Sequence, residues 1–190
     1  MKTLTYKTLK DKLSLNEPMQ VEDFKKIISI LTIEQGDWWQ YDGDFHSEKI
    51  ELPNLRFENL TLQHLNLSRF DFSNSEFKNV VFKDCILVQS TFDYVKMYDC
   101  SFKRCNMTFT TIQDSLFVNT LFENQNFYFV DLERLDLKQC TWRLVNFKHQ
   151  MLKSIDFTNC EFWDVRFLGD GEFSGTLFPK DFDMSLDFSI

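Results

Sequence analysis

A large apolar residue occupies every fifth position from Leu52 to Phe167 without exception. The run matches at 24 positions in 24, and because 43% of the chain is hydrophobic, chance would produce it with a probability on the order of 10^-9. A period of five fits neither a helix nor a flat strand, so the chain must turn regularly between these residues. We call them the anchors: Leu52, Phe57, Leu62, Leu67, Phe72, Phe77, Phe82, Leu87, Phe92, Met97, Phe102, Met107, Ile112, Phe117, Phe122, Phe127, Leu132, Leu137, Trp142, Phe147, Leu152, Phe157, Phe162 and Phe167.

A second row of residues stands two positions before each anchor. Most of its members are small or β-branched, such as Ser75, Cys85 and Val95, and the three remaining positions of each five are mainly polar. Two inward and three outward residues per five predict a β-solenoid. Its coils must stack on one another, because no repeat can bury its apolar face alone.

Several five-residue units share one pattern: a small residue, an acidic or polar residue, Leu or Phe, and two polar residues. They include Cys-Ser-Phe-Lys-Arg at 100–104, Val-Asp-Leu-Glu-Arg at 130–134, Ile-Asp-Phe-Thr-Asn at 155–159 and Cys-Glu-Phe-Trp-Asp at 160–164. On these residues the chain resembles the pentapeptide-repeat family over about 115 positions. The resemblance implies an all-β solenoid, a right-handed quadrilateral β-helix of about six coils. Residues 20 apart would then stack on the same face.

Residues 1–49 precede the repeats and are expected to close the first coil. Asn16 can cap a helix, Gly36 can end one, and apolar residues between them recur at helical spacing. The pattern predicts an amphipathic helix over about 17–35. A cap is the preferred interpretation, because the open end of a solenoid needs cover, and a partner-binding helix is the alternative.

The β-helix is predicted over residues 50–168, followed by a partial coil and a strand-like tail over 169–190. Phe173 and Phe178 resume the five-residue spacing one residue out of phase, and Asp181–Ile190 alternates strictly between polar and apolar residues. The tail can pair with its own last coil or with a second subunit. Because several members of the family that the chain resembles dimerise through this end, a homodimer is favoured. Its candidate residues are Phe182, Met184, Leu186 and Phe188.

Charge and composition exclude several classes of protein. A net charge of -8 and a pI of about 4.9 disfavour a direct nucleic-acid binder. There is no apolar core typical of a signal peptide and no run of about 18 apolar residues, so a cytoplasmic protein without a membrane span is expected. The five cysteines all fall in the second row, where buried free thiols are expected.

Residues for catalysis are scattered along the chain. His46, His64 and His149 are far apart in sequence, and there is no glycine-rich phosphate loop or Cys/His cluster. We therefore expect no enzyme activity, cofactor or metal. A β-helix carbohydrate-active enzyme, which would use adjacent outward carboxylates, is the disfavoured alternative, because the repeat register contains no inserted loops.

Two predicted faces of the rod differ in charge. The face anchored by Leu67 and its equivalents carries only basic outward charges and several outward apolar residues, a composition typical of an interface. Cover by the N-terminal segment is the alternative. The candidate partner-binding residues are Arg69, Phe109, Tyr128, Phe129, Lys148 and Arg166.

The face anchored by Leu52 and its equivalents is acidic. Its outward acids are Glu51, Asp71, Asp93, Asp114, Asp131 and Glu133. Quinolone-resistance and toxin-immunity members of the family resemble B-form DNA in charge and bind type II topoisomerases such as DNA gyrase. The resemblance thus implies a DNA-mimic alternative, in which these acids replace phosphates. The preferred hypothesis is a non-catalytic interaction module that binds a protein partner through the faces of a rigid rod.

Overall fold

The chain winds into a four-sided β-solenoid of about six coils. The structure, a computed structural model, describes residues 18–19, 22–27, 49–169, 171–182 and 188–189. Strand pairing is parallel, and partners lie 20 residues apart, as for Phe122 with Trp142 and Phe127 with Phe147. The predicted fold and its register of four pentapeptides per coil are therefore confirmed.

Short strands form the sides of the coils, and residues 22–27 are helical. The strands are β1 (Pro18–Met19), β2 (Ile50–Glu51), β3 (Arg56–Gln63), β4 (Phe70–Asp71), β5 (Glu76–Lys83), β6 (Lys96–Tyr98), β7 (Ser101–Lys103), β8 (Thr111–Gln113), β9 (Leu116–Val118), β10 (Leu121–Tyr128), β11 (Asp131–Glu133), β12 (Asp136–Lys138), β13 (Thr141–Lys148), β14 (Met151–Lys153), β15 (Glu161–Leu168) and β16 (Phe188–Ser189).

The anchors form the core as stacks that run along the rod. Phe82 and Phe102 have ring centroids 4.7 Å apart, and Phe102 and Phe122 are 5.2 Å apart, with rings within 2° of parallel. Every anchor is buried except Phe162, which is partly buried. The anchor row thus predicted the core correctly.

The second row is a set of hydrogen bonds as well as a packing row. The Ser90 hydroxyl donates to the Leu67 carbonyl (2.8 Å), the Thr110 hydroxyl donates to the Leu87 carbonyl (3.0 Å), and the Cys140 thiol donates to the Phe117 carbonyl (3.5 Å). Each bond reaches 23 residues back and joins one coil to the previous one. Ser, Thr and Cys recur in this row because each has a small side chain with a hydrogen-bond donor.

Ser115 makes the fullest set of these bonds, and its loss should be measurable. It accepts a hydrogen bond from the Val95 N–H (3.0 Å) and donates to the Phe92 carbonyl (2.9 Å). Ser115→Ala leaves both groups buried without this partner, so we expect the free energy of unfolding to fall by about 1–3 kcal/mol. Urea denaturation would measure it. Ser174→Ala, at an exposed position, is the control with an expected change within about 0.5 kcal/mol, and equal effects would contradict this role for Ser115.

Nearly every corner of the rod has a left-handed residue, a feature that the sequence pattern did not predict. The residue two positions after an anchor has φ between 50° and 63° at 22 non-glycine positions, which are every fifth residue from Asn54 to Ser154 and Asp164. Ten of these 22 are Asn or Asp, the side chains that tolerate this conformation best after glycine. The period of five thus arises from one left-handed turn per side.

The described part of the N-terminal segment lies against the first coil. Phe24 and Ile27 of the helical residues are buried, and Phe24 packs edge-on against Phe57 at 5.8 Å. The predicted helix over 17–35 is wrong at its start, because Pro18 and Met19 form β1 and pair with β3. The unpaired edge of the first coil offers hydrogen bonds that local helix propensity does not. The rest of the predicted helix lies outside the described residues.

The C-terminal region adds a partial seventh coil. Met151 bridges Glu172 and Asp156 bridges Leu177, so the register is shifted by one residue, as the spacing of Phe173 and Phe178 predicted. The shift occurs at Gly171, where a Cβ atom would collide with the side-chain amide of buried Gln150.

The tail pairs with its own last coil, one of the two arrangements left open by its pattern. Phe188 pairs with Phe167 in parallel, and the ring of Phe182 packs against Phe162 and Phe167 at 5.3 and 5.5 Å. Two other candidate dimerisation residues, Met184 and Leu186, lie outside the described residues. Dimerisation through this end stays a prediction.

Candidate interaction surfaces

One corner of the rod carries a stack of aromatic rings on its outer surface. The rings of Phe109 and Phe129 are 5.1 Å apart and 16° from parallel, and those of Phe129 and His149 are 5.1 Å apart and 15° from parallel. The His149 ring lies against Gly169. A Cβ atom added to Gly169 would be 3.1 Å from the Cε1 atom of His149. We call this column the aromatic corner: Arg69, Gln89, Phe109, Phe129, His149 and Gly169.

The aromatic corner places bulky side chains in the left-handed conformation that most other corners share. Phe109 and Phe129 have φ of 58° and 54°, and a bulky side chain in this region costs roughly 1–2 kcal/mol. Phe129 is nevertheless 50% exposed, so its burial within the protein recovers only part of the hydrophobic gain.

A shallow groove of about 310 Å³ runs beside the aromatic corner, between it and the next face of the rod. Phe109 and Phe129 form one wall, Thr91, Thr111 and Asp131 form the other, and Lys49 and Arg69 also line it. The Lys49 ammonium donates to the Thr91 hydroxyl at 2.6 Å. The groove therefore combines two cations, a carboxylate and an aromatic wall.

The other candidate partner-binding residues lie apart from this groove. Tyr128 stacks with Lys148 on the adjacent flat face and lines a separate groove of about 410 Å³ with Asn124 and Asn126. Arg166 forms an ion pair with Asp164 at 3.0 Å. The structure thus brings Arg69, Phe109 and Phe129 together, and it separates them from Tyr128, Lys148 and Arg166.

The candidate acidic residues are largely engaged inside the protein. Asp114 accepts two hydrogen bonds from Arg134 (2.6 and 2.7 Å), and Glu133 pairs with the same guanidinium. That hydrogen bond is the main reason why the pKa of Asp114 is lowered. Asp71 accepts from the Ser73 amide and hydroxyl.

The remaining acids of this face differ in exposure. Asp93 accepts from the Gln113 amide, and burial raises the pKa of its carboxyl. Asp131 accepts from the Gln113 side chain at 3.0 Å through one oxygen, and its second oxygen is buried and has no hydrogen-bond partner within the described part of the chain. Glu51 is the one of the six that is exposed, and the other five are half-buried. The face therefore offers less accessible negative charge than its sequence predicts.

The chemistry available elsewhere in the described residues is limited. All five cysteines are buried free thiols, and burial raises the pKa of the Cys100 thiol to about 11. Within the described ranges, no three or more His, Cys, Asp or Glu side chains are grouped to hold a metal. No helix among those residues is long and apolar enough to cross a membrane.

Two exposed aromatic residues, Tyr94 and Trp163, were not among the residues predicted from sequence. Trp163 is 60% exposed and lines a shallow groove of about 480 Å³ with Glu123 and Arg143, which form an ion pair. Trp163 directly follows the anchor Phe162 and therefore points outward. Sorting the outward residues by face could have identified it from sequence.

Comparisons with known proteins agree with the repeat assignment. The family model "Pentapeptide repeats (8 copies)" matches the chain twice, over residues 56–93 and 71–108. No curated protein matches the chain. Among solved structures, QnrB1, a plasmid-mediated fluoroquinolone resistance protein, is 15% identical with a TM-score of 0.35, and the match covers 70% of this chain but only 63% of that one.

Two further solved structures are similarly distant. A pentapeptide repeat protein from the cyanobacterium Cyanothece is 11% identical, with 67% of this chain and 90% of that chain covered and a TM-score of 0.32. A proposed glycosyl hydrolase from Parabacteroides merdae is 7% identical, with 93% and 95% covered and a TM-score of 0.39. Because these TM-scores are all below 0.5, the assignment of the fold depends on the observed strand register and not on these structures. The family match over residues 56–108, and the same register and four-sided coil along the rod, show that the chain is built of pentapeptide repeats.

Proposed function

We propose that the protein is a non-catalytic interaction module that binds a protein partner at the aromatic corner. The observation that carries this proposal is the outer stack of Phe109, Phe129 and His149, held half in solvent at left-handed positions. Asn or Asp would occupy these positions at lower conformational cost. The aromatic rings are therefore better explained by what they bind than by what they stabilise.

The rigidity of the scaffold supports the same function. The amide of Phe109 donates to the Tyr128 carbonyl (3.0 Å), and that of Phe129 donates to the Lys148 carbonyl (3.0 Å), so each ring is mounted on backbone bonded to the next coil. A preorganised surface loses little entropy on binding. Exposed aromatic residues in such a surface are the usual sources of binding energy at protein interfaces.

Replacing both phenylalanines with asparagine should separate binding from folding. For Phe109→Asn/Phe129→Asn, the relief of about 1–2 kcal/mol of strain per residue offsets the loss of about 0.5–1.5 kcal/mol per ring pair. We expect the melting temperature to change by less than about 4 °C. Affinity capture from a cell extract, quantified by mass spectrometry, should lose the partner that the unchanged protein enriches.

Tyr94→Asn is the matched control. Tyr94 is also an exposed aromatic residue with positive φ, but it lies at a different corner of the rod. This variant should retain the partner. If the double variant captures the same proteins as the unchanged chain, the aromatic corner is not the binding surface.

The DNA-mimic alternative is tested in parallel by DNA supercoiling with purified DNA gyrase, with and without a quinolone. Because five of the six acids are half-buried and two share Arg134, we expect no effect at micromolar protein. Inhibition or drug protection that disappears in an Asp71, Asp93, Asp114 and Asp131 to Asn variant would overturn the choice of surface and favour the acidic face.

A further inference from the structure

The groove beside the aromatic corner has opposite charges at its two ends. Lys49 reaches the Thr91 hydroxyl, and Arg69 lies on the same N-terminal side of the groove. Asp131 lies two coils further along the same column, since Thr91 bridges Thr111 and Thr111 pairs with Asp131. With neighbouring coils about 4.8 Å apart, the cationic and anionic ends are separated by roughly 10 Å along the rod.

Strand addition does not suit this groove. The amides of Thr91, Thr111 and Asp131 already donate to carbonyls within the rod, at 2.9–3.1 Å. A segment that binds here must be recognised through its side chains. An extended strand places side chains on one face about 7 or 13 Å apart, and neither spacing matches the two charged ends.

A polyproline II helix fits both requirements. It has three residues per turn and a rise of about 3.1 Å, so side chains three positions apart share one edge about 9 Å apart. It makes no internal hydrogen bonds, and proteins bind it mainly in grooves lined by aromatic residues. The Phe109 and Phe129 rings provide such a wall.

We infer that this groove binds a partner segment in the polyproline II conformation, with an acidic and a basic residue three positions apart. The acidic side chain contacts Lys49 and Arg69, and the basic side chain contacts the half-buried Asp131 carboxylate, which lines the far end of the groove. Proline or other apolar residues between them pack against Phe109 and Phe129. The inference rests on the proposed function, because it names the chemistry of the partner at that surface.

Fluorescence anisotropy with three labelled peptides tests the inference on the full chain. Their cores are Glu-Pro-Pro-Lys, Glu-Pro-Pro-Glu and the shortened Glu-Pro-Lys, in identical flanking sequences. We expect the first to bind about ten-fold more tightly than either of the others, and the difference should shrink as salt is raised. Equal binding of all three, or no binding, overturns the inference.

A change at Asp131 gives a readout that a merely structural role would not produce. With Asp131→Lys both ends of the groove are cationic, so the preference should invert to Glu-Pro-Pro-Glu by about ten-fold. Asp131→Asn keeps a side-chain oxygen for Gln113 and should abolish the preference between the two peptides. Tyr94→Asn should leave it unchanged. An unaltered preference in both Asp131 variants overturns the inference, whereas the proposed function fails only if partner capture survives loss of Phe109 and Phe129.

Discussion

Replacing Phe102 with alanine is expected to lower the free energy of unfolding by about 3–5 kcal/mol. Phe102 is fully buried and stacks between Phe82 and Phe122, with Phe92 packed edge-on at 5.9 Å. The backbone of each coil is bonded to the coils on both sides, so the coils cannot close around the missing ring. The resulting cavity adds to the lost transfer free energy. Urea denaturation with a two-state fit would measure the change.

The outer aromatic stack provides a matched control for this prediction. Phe129 also stacks between two rings, at 5.1 Å, but it is 50% exposed. Phe129→Ala should cost about 1 kcal/mol or less, because little apolar area is lost from the interior. A denaturation midpoint for Phe102→Ala close to that of Phe129→Ala would mean that the inner stack does not dominate stability.

Replacing Phe24 with aspartate is expected to release the N-terminal cap from the first coil. Phe24 is 1% exposed and contacts Phe57 and Phe70, at 5.8 and 6.4 Å. Burying an unpaired carboxylate there costs several kcal/mol, more than a short docked segment can offset. Release would expose the first edge of the solenoid, which is a template for pairing with another chain. We expect self-association that increases with concentration, measured by size exclusion with light scattering.

Lys25→Asp on the same helical segment is the control. Lys25 is exposed and, among the described residues, pairs with the neighbouring Glu22 at 3.0 Å, so the change adds negative charge without reaching the core. Its association state and melting temperature should match those of the unchanged protein. If Phe24→Asp also matches, the first coil needs no cover, and the N-terminal segment has another role.

The repeat made most of the fold predictable from sequence. Inward and outward positions recur every five residues, so assigning one anchor such as Phe102 assigns the rest, and stacking by 20 follows from four sides per coil. Local patterns were less reliable where the repeat stops. Pro18 and Met19 lie at the start of a predicted helix but form a strand, because the edge of β3 supplies partners that a local pattern does not contain.

The candidate surfaces were predictable as a list of outward residues but not as sites. Arg69, Phe109 and Phe129 come together because they share one column, whereas Arg166 turns to Asp164. The sequence also did not predict that Arg134 pairs with both Asp114 and Glu133, because these pairs depend on the direction of side chains on neighbouring coils.

The sequence by itself determined which residues enter the core of this protein and how its coils stack, because a strict period leaves one register that buries every anchor. The tertiary structure alone decided how the outer side chains are used. Corner residues have their neighbours in space 20 residues away in the sequence. Contacts between coils therefore decide whether a ring stacks, a carboxylate forms an ion pair or a groove opens. Burial is encoded locally at every fifth residue, whereas recognition arises from columns that only the folded rod assembles.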